Sequence, residues 1–176
     1  MPCVVADTSP LFYLAVLGRL ALLHDLYGQV FLPDSVWKEA LAGERFAAGT
    51  RPLLEDAQNR GWIVVRGLSV PSAPPPSLAL ADLDIGERDA LILAITLHAE
   101  LVLIDELEGR AVAESLGLSI MGTVGILVSA KQQGFLPAIR PELSRLLNET
   151  TFWLSRRLEH IALEMAGEAD PPNSIP

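Results

Sequence analysis

The chain has 176 residues, half of them apolar, and its 22 acidic residues outnumber 13 basic ones for a net charge of −9. That length and apolar share fit one ordinary domain with a real core. The acidic balance argues against an extended surface for duplex nucleic acid. It leaves room for a compact site that grips a short RNA through a metal ion and a few arginines.

No apolar run reaches the roughly 18–20 residues that cross a bilayer, and the N-terminus lacks the basic region of a secretory signal. The single cysteine, Cys3, has no partner for an internal disulfide and suits a reducing cytoplasm. These features predict a cytoplasmic protein with no membrane segment.

Residues 3–6 read as a short buried strand that ends at Asp7. Thr8 or Ser9 is placed to cap a helix opened by Pro10, with Leu11, Leu14, Ala15 and Leu17 running to Gly18. A second helix, 19–27, stops at Gly28. The run Val30-Phe31-Leu32 is a strand ended by Pro33, and Asp34 or Ser35 then caps a helix that carries Glu39. A glycine-containing loop over 43–51 leads to a helix at 52–60 and a strand at 61–65. The proline-rich segment 69–77 is a stiff, extended connector rather than a domain boundary.

Helical spacing returns after Asp84-Ile85-Gly86-Glu87-Arg88-Asp89, with Ala90, Leu91, Leu93, Ala94 and Leu97. A strand at 101–104 ends at Asp105, followed by a helix at 109–116, a short strand at 119–121 and helices at 123–133, 141–148 and 155–166. The tail after Gly167 is expected to be loose. Strands alternating with helices imply a three-layer α/β/α fold with a central, mostly parallel sheet. Residues 1–140 would form the main domain, and 141–176 a helical extension packed on it.

Asp7 and Asp105 each stand at the mouth of an apolar strand, where a charge is costly unless something positive lies beside it. Ligand sites of open parallel sheets lie beyond the carboxyl ends of the strands. On adjacent strands the two would stand about 5 Å apart, with Glu39 and Asp89 approaching from helices. Mg²⁺ takes oxygen ligands from carboxylates, waters and phosphate, so these four acids form a candidate cage for a hard divalent cation. Glu87 rivals Asp89, since at i and i+2 on one helix they face different ways. Glu106 is a further substitute ligand, and Glu44 backs up Glu39. The competing reading makes these acids helix caps and solvated surface charges.

Other chemistries fare worse. His24, His98 and His160 lack zinc-site spacing, and the chain has no G-x-S-x-G elbow, Walker loop or G-x-G-x-x-G. Gly122-Thr123 is a weak candidate for a helix N-terminus that meets a phosphate. Trp37, Trp62 and Trp153 are read as packing residues rather than base-stacking platforms. A receiver-like or phosphatase-like domain would need a second Asp after the first strand, which Asp7-Thr8-Ser9 does not supply.

The combination of Val4-Val5-Ala6-Asp7-Thr8-Ser9-Pro10-Leu11, Gly86-Glu87, Asp89-Ala90-Leu91, Ile104-Asp105, Gly109-Arg110 and Gly122-Thr123-Val124-Gly125-Ile126-Leu127 resembles the PIN domain, the nuclease fold of VapC-type toxins, and within it the DUF3368 subgroup. The likeness spans roughly residues 3–140. It implies a Mg²⁺- or Mn²⁺-dependent endoribonuclease, commonly a homodimer and often held by a cognate antitoxin. Asp7, Glu39, Asp89 and Asp105 carry over as its four acids by motif position. Thr8 or Ser9 would steady the first carboxylate or its metal-bound water. Two departures stand out: Glu106 follows Asp105 where the subgroup often has a second Asp, and the chain after 140 exceeds a minimal PIN domain. A catalytically inactive nucleic-acid-binding or regulatory module is the alternative.

Overall fold

The computed structural model of the protein describes residues 2–42, 49–68 and 83–169. The expected ligand Glu44, the connector 69–77 and the end of the tail lie outside the described residues. The chain divides into two compact units, 1–123 and 124–176.

The first unit is built on five parallel strands: β1 (Val4–Ala6), β2 (Val30–Pro33), β3 (Ile63–Arg66), β4 (Leu101–Leu103) and β5 (Ile120–Met121). Their order is β3-β2-β1-β4-β5, so β1 lies at the centre between β2 and β4. Among the described residues every pairing is parallel, so the sheet there is wholly rather than mostly parallel. Val4, Val5 and Ala6 are fully buried, as expected of a strand covered on both faces.

Helices flank this sheet: α1 (Thr8–Val16), α2 (Leu22–Tyr27), α3 (Asp34–Ala42), α4 (Thr50–Asn59), α5 (Ile85–Thr96) and α6 (Leu107–Ser115). The inner one is α5, which contacts β1, β2 and β4 as well as α3. Its Ala90, Leu91, Leu93 and Ala94 join Val5, Val102 and Ile104 in one core cluster. The acids of α3 and α5 therefore arrive beside the end of β1.

Several element ends differ from the sequence reading, each for a local reason. Asp7, not Thr8 or Ser9, is the N-cap of α1, and Thr8 is already helical. Pro10 still falls within the first turn, where a missing N–H costs nothing. Asp34 and Ser35 lie inside α3 instead of preceding it, and Pro33 is the last residue of β2. The third strand starts at Ile63, because Gly61 turns the chain with φ +80°. Among the described residues no helix is long and apolar enough to cross a membrane.

The second unit holds α7 (Thr123–Gln132) from Val124 onward, Thr123 being the last residue of the first unit, with α8 (Arg140–Glu149) and α9 (Arg156–Met165). Within it, the Glu168 carboxylate accepts the Ile139 and Arg140 amides at 2.6 and 3.0 Å. Gln132 donates its side-chain amide to the Met165 carbonyl at 3.0 Å. The orphan amides that open α8 are thus satisfied by the chain just after α9.

Candidate functional site: an acidic cluster at the end of the central strand

The site begins with the backbone. The Asp7 amide donates to the Leu103 carbonyl at 2.9 Å, which extends the β1–β4 pairing one step and fixes the point where the chain leaves the sheet. Asp7 is 3% exposed there, and Thr8 and Ser9 are equally buried. As N-cap, its carboxylate accepts the Ser9 amide at 3.5 Å, and the start of a helix favours negative charge. Burial outweighs that help: desolvation first, then the nearby Glu106 and Asp84 carboxylates, push the Asp7 carboxyl up to about 8.

Two hydroxyls next to Asp7 reach to two further acids. Thr8 Oγ1 donates to Glu39 Oε2 at 2.8 Å. Ser9 Oγ donates to Glu106 Oε1, while Glu106 Oε2 is buried with no hydrogen-bond partner. The sequence run Thr8-Ser9 thereby ties α3 and the N-cap of α6 to the start of α1.

The fourth arm is the opening of α5. Asp84 caps this helix: its Oδ1 accepts the Glu87 amide at 2.8 Å, and Glu87 Oε2 accepts the Asp84 amide at 3.3 Å. This reciprocal capping box leaves Glu87 Oε1 buried and unpartnered. Desolvation first, then Asp84, raise the Glu87 carboxyl above its usual range. Gly86 lies between the arms. A Cβ there would stand 3.2 Å from Asp7 Oδ1 and 3.4 Å from both Asp84 Oδ1 and Glu39 Oε2. Three carboxylates from three elements thus meet at one glycine.

Asp105 is engaged differently. Its Oδ1 accepts the Thr123 amide at 2.8 Å and its Oδ2 the Thr123 hydroxyl at 2.6 Å. Burial lifts its carboxyl to about 6 against the pull of these two bonds, with Arg110 a smaller lowering influence. Arg110 itself donates to the Ile104 carbonyl at 3.1 Å. The helix start at Gly122-Thr123, a weak candidate for meeting a phosphate, receives this carboxylate. A Cβ on Gly122 would fall 2.7 Å from Asp105 Oδ1, so only glycine admits the carboxylate this close.

The structure therefore gathers Asp7, Glu39, Glu87, Glu106 and Ser9 of the expected set, with Asp105 alongside and turned onto Thr123. Asp89 is i+3 from Gly86 on α5, and its carboxylate lies 3.4 Å from the guanidinium of its neighbour Arg88. Sequence reasoning missed Asp84. Its signal was the D-x-x-E spacing of Asp84 and Glu87 ahead of an apolar helix, which places both acids at the helix start.

The donor set suits a hard cation: carboxylate oxygens, two of them buried without partners, around an Asp whose charge is disfavoured by burial and by like charges. Among the described residues, however, no three acids, histidines or cysteines are already set to hold one ion. The carboxylates point to hydroxyls and amides, and Glu39, Glu106 or Asp105 must turn from those partners to share a ligand.

A family model described as "DUF3368: PIN domain" matches residues 3–168. Among solved structures, the chain is similar to a PilT N-terminus domain protein from the hyperthermophilic archaeon Sulfolobus solfataricus. The two share 20% identity over 72% of this chain and 92% of the other, with a TM-score of 0.50, a likeness of fold. No curated protein matches.

Proposed function

The chain belongs to the DUF3368 family of PIN domains, and from that premise we propose that it is a metal-dependent endoribonuclease that hydrolyses RNA phosphodiester bonds. The observation that carries this reading is the setting of Asp7: a carboxyl at the end of the central strand, 3% exposed, whose charged neighbours are the carboxylates Glu106 and Asp84. A folded chain that buries such a group gains from a cation placed there.

In this reading Asp7, Glu39, Asp84 and Glu106 are the groups that would hold Mg²⁺ or Mn²⁺, with Glu87, Asp89 and Asp105 as adjoining donors. Such an ion supplies Lewis acidity toward a phosphate oxygen and lowers the pKa of a water. The protein's own part is positional. Thr8 holds Glu39 on α3, Ser9 holds Glu106 and Asp84 is locked by the capping box, so Asp7, Asp84 and Glu106 are presented at helix starts and Glu39 within a helix rather than on loops. Near neutral pH the Asp7 proton must leave before the carboxylate can bind a cation. The overall negative charge would confine RNA contact to the immediate site, which fits short single strands better than an extended duplex.

The test is cleavage of a panel of labelled single-stranded RNAs by the purified chain in Mn²⁺, Mg²⁺ or EDTA, beside Asp7→Asn. Cutting that requires both metal and Asp7 supports the reading; cutting that survives EDTA or the substitution ends it.

A second reading, a catalytically inactive binding or regulatory module, is favoured by one observation: Asp105 is held by Thr123 through both oxygens. In that case the acids keep structural roles, and the RNA panel stays uncut while RNA or a small antitoxin-like protein still binds.

A further inference from the structure

Two arginines stand near the acids at the openings of α5 and α6, and they are spent differently. Arg88 is paired with the Asp89 carboxylate. Arg110 forms no ion pair among the described residues, and its one side-chain hydrogen bond there is from Nη1 to the Ile104 carbonyl at 3.1 Å. A half-buried guanidinium held by a main-chain oxygen keeps its charge uncancelled and most of its five donors unspent.

The fold places this charge at the cluster and keeps it from collapsing onto the acids. The Arg110 amide donates to the Glu106 carbonyl at 3.0 Å, so Arg110 follows Glu106 by one turn of α6 and shares its face. A Cβ on Gly122 would stand 3.1 Å from Arg110 Nη1 and 2.7 Å from Asp105 Oδ1. The guanidinium and that carboxylate thus frame the same small gap. Ile104 is fully buried just past β4, and its own amide donates to the Met121 carbonyl at 2.9 Å. The oxygen that anchors Arg110 is therefore fixed by the sheet.

We infer that Arg110 grips a non-bridging oxygen of the RNA phosphate that comes to the acidic cluster, an inference that rests on the nuclease reading above. A phosphodiester spreads one negative charge over two such oxygens. A cation held by the carboxylates engages one of them, and a donor on the second keeps the phosphate from turning. The planar fork of a guanidinium matches phosphate oxygens. A phosphate contact carries no sequence information, so Arg110 adds affinity without choosing the target.

Fluorescence anisotropy of a short labelled oligouridine on the full chain in Ca²⁺, across about 50–200 mM salt, tests this. Arg110→Gln should bind about tenfold more weakly. Its slope of log affinity against log salt should be shallower by about 0.7, the share of one phosphate on a single strand. Arg110→Lys keeps the charge and should keep the slope, losing about threefold in affinity with the fork. Arg60→Gln removes an equal charge from an exposed residue at the amino ends of the strands, opposite Asp7, and should change neither reading. By calorimetry, Mn²⁺ affinity in Arg110→Gln should be no lower than in wild type, because no ligand has been removed.

The inference is overturned by a wild type that does not bind the oligonucleotide, or by wild-type affinity and slope in Arg110→Gln. It is also overturned by lost Mn²⁺ binding in that variant, which would make Arg110 a brace for the acids. Circular dichroism shows whether each variant folds; should Arg110→Gln not fold, Arg110→Lys decides, and wild-type affinity in it overturns the inference. RNA bound through Arg110 but never cut would end the nuclease reading alone. Asp7-dependent cutting that Arg110→Gln leaves at the wild-type level would end this inference alone.

Discussion

Thr123 holds both oxygens of Asp105, its amide on Oδ1 at 2.8 Å and its hydroxyl on Oδ2 at 2.6 Å. The first residue of α7 thereby fixes the carboxylate that ends the β4 segment, with Gly122 clearing the space. These two bonds pull the Asp105 carboxyl down, and it stays near 6, while the more deeply buried Asp7 carboxyl lies near 8.

Thr123→Val removes the hydroxyl and keeps the volume. Losing a hydrogen bond to a charged group costs about 1.5–3 kcal/mol, which urea unfolding near neutral pH would read. The Asp105 carboxyl should move above 6, seen as a shifted carboxyl carbon titration by NMR. An unmoved titration would mean that the hydroxyl does not act on Asp105.

Gly122→Ala presses a methyl to 2.7 Å from Asp105 Oδ1 and 3.1 Å from Arg110 Nη1. Neither partner is a free side-chain end, since one is bonded to Thr123 and the other to the Ile104 carbonyl. Overpacking of this kind costs about 1–3 kcal/mol, so the thermal midpoint should fall by several degrees relative to wild type. A midpoint equal to wild type would contradict the close approach.

Asp84→Asn preserves the helix cap, because Asn caps as well as Asp, yet removes a charge beside Asp7. Mn²⁺ affinity should drop roughly tenfold or more, the scale seen when partners of metal ligands are altered, with little change in stability. An Asp84→Asn protein that binds Mn²⁺ as tightly as wild type, read by calorimetry, would remove Asp84 from the set.

The Asp7 carboxyl is raised from 3.8 to about 8 by folding. The unfolded chain ionises first, so Asp7 weakens the metal-free fold progressively as pH rises from about 4 to 8. The loss is at most ~1.4 kcal/mol per pH unit and levels off above the folded value. Without metal, Asp7→Asn should therefore gain stability relative to wild type as pH goes from 5 to 8. A stability difference between the two proteins that is flat with pH would contradict the buried, cation-seeking carboxyl.

Much of this was legible in the residues. The short apolar runs before Asp7 and Asp105 are the strands β1 and β4, and their β-branched, charge-free character admits little else. The order of the five strands was not legible, because it rests on pairings across long stretches of chain. Nor was the choice among acids on α5. Helical periodicity places Glu87 and Asp89 on different faces but does not say which face meets β1, and only the fold shows that the Gly86 face turns to Asp7. Thr8, Ser9 and Asp7 are all good cap formers, so only the backbone turn at Asp7 separates them. The hold of Thr123 on Asp105 is a contact across 18 residues, invisible to local pattern.

The most direct measurement is a calorimetric titration of the full chain with Mn²⁺ at pH 8 and pH 6, beside Asp7→Asn. The account predicts saturable binding at pH 8, weaker by about tenfold per pH unit lost as the Asp7 proton competes, and no binding by the variant. Binding that Asp7→Asn leaves intact, or a wild type that takes up no Mn²⁺ at either pH, would contradict it.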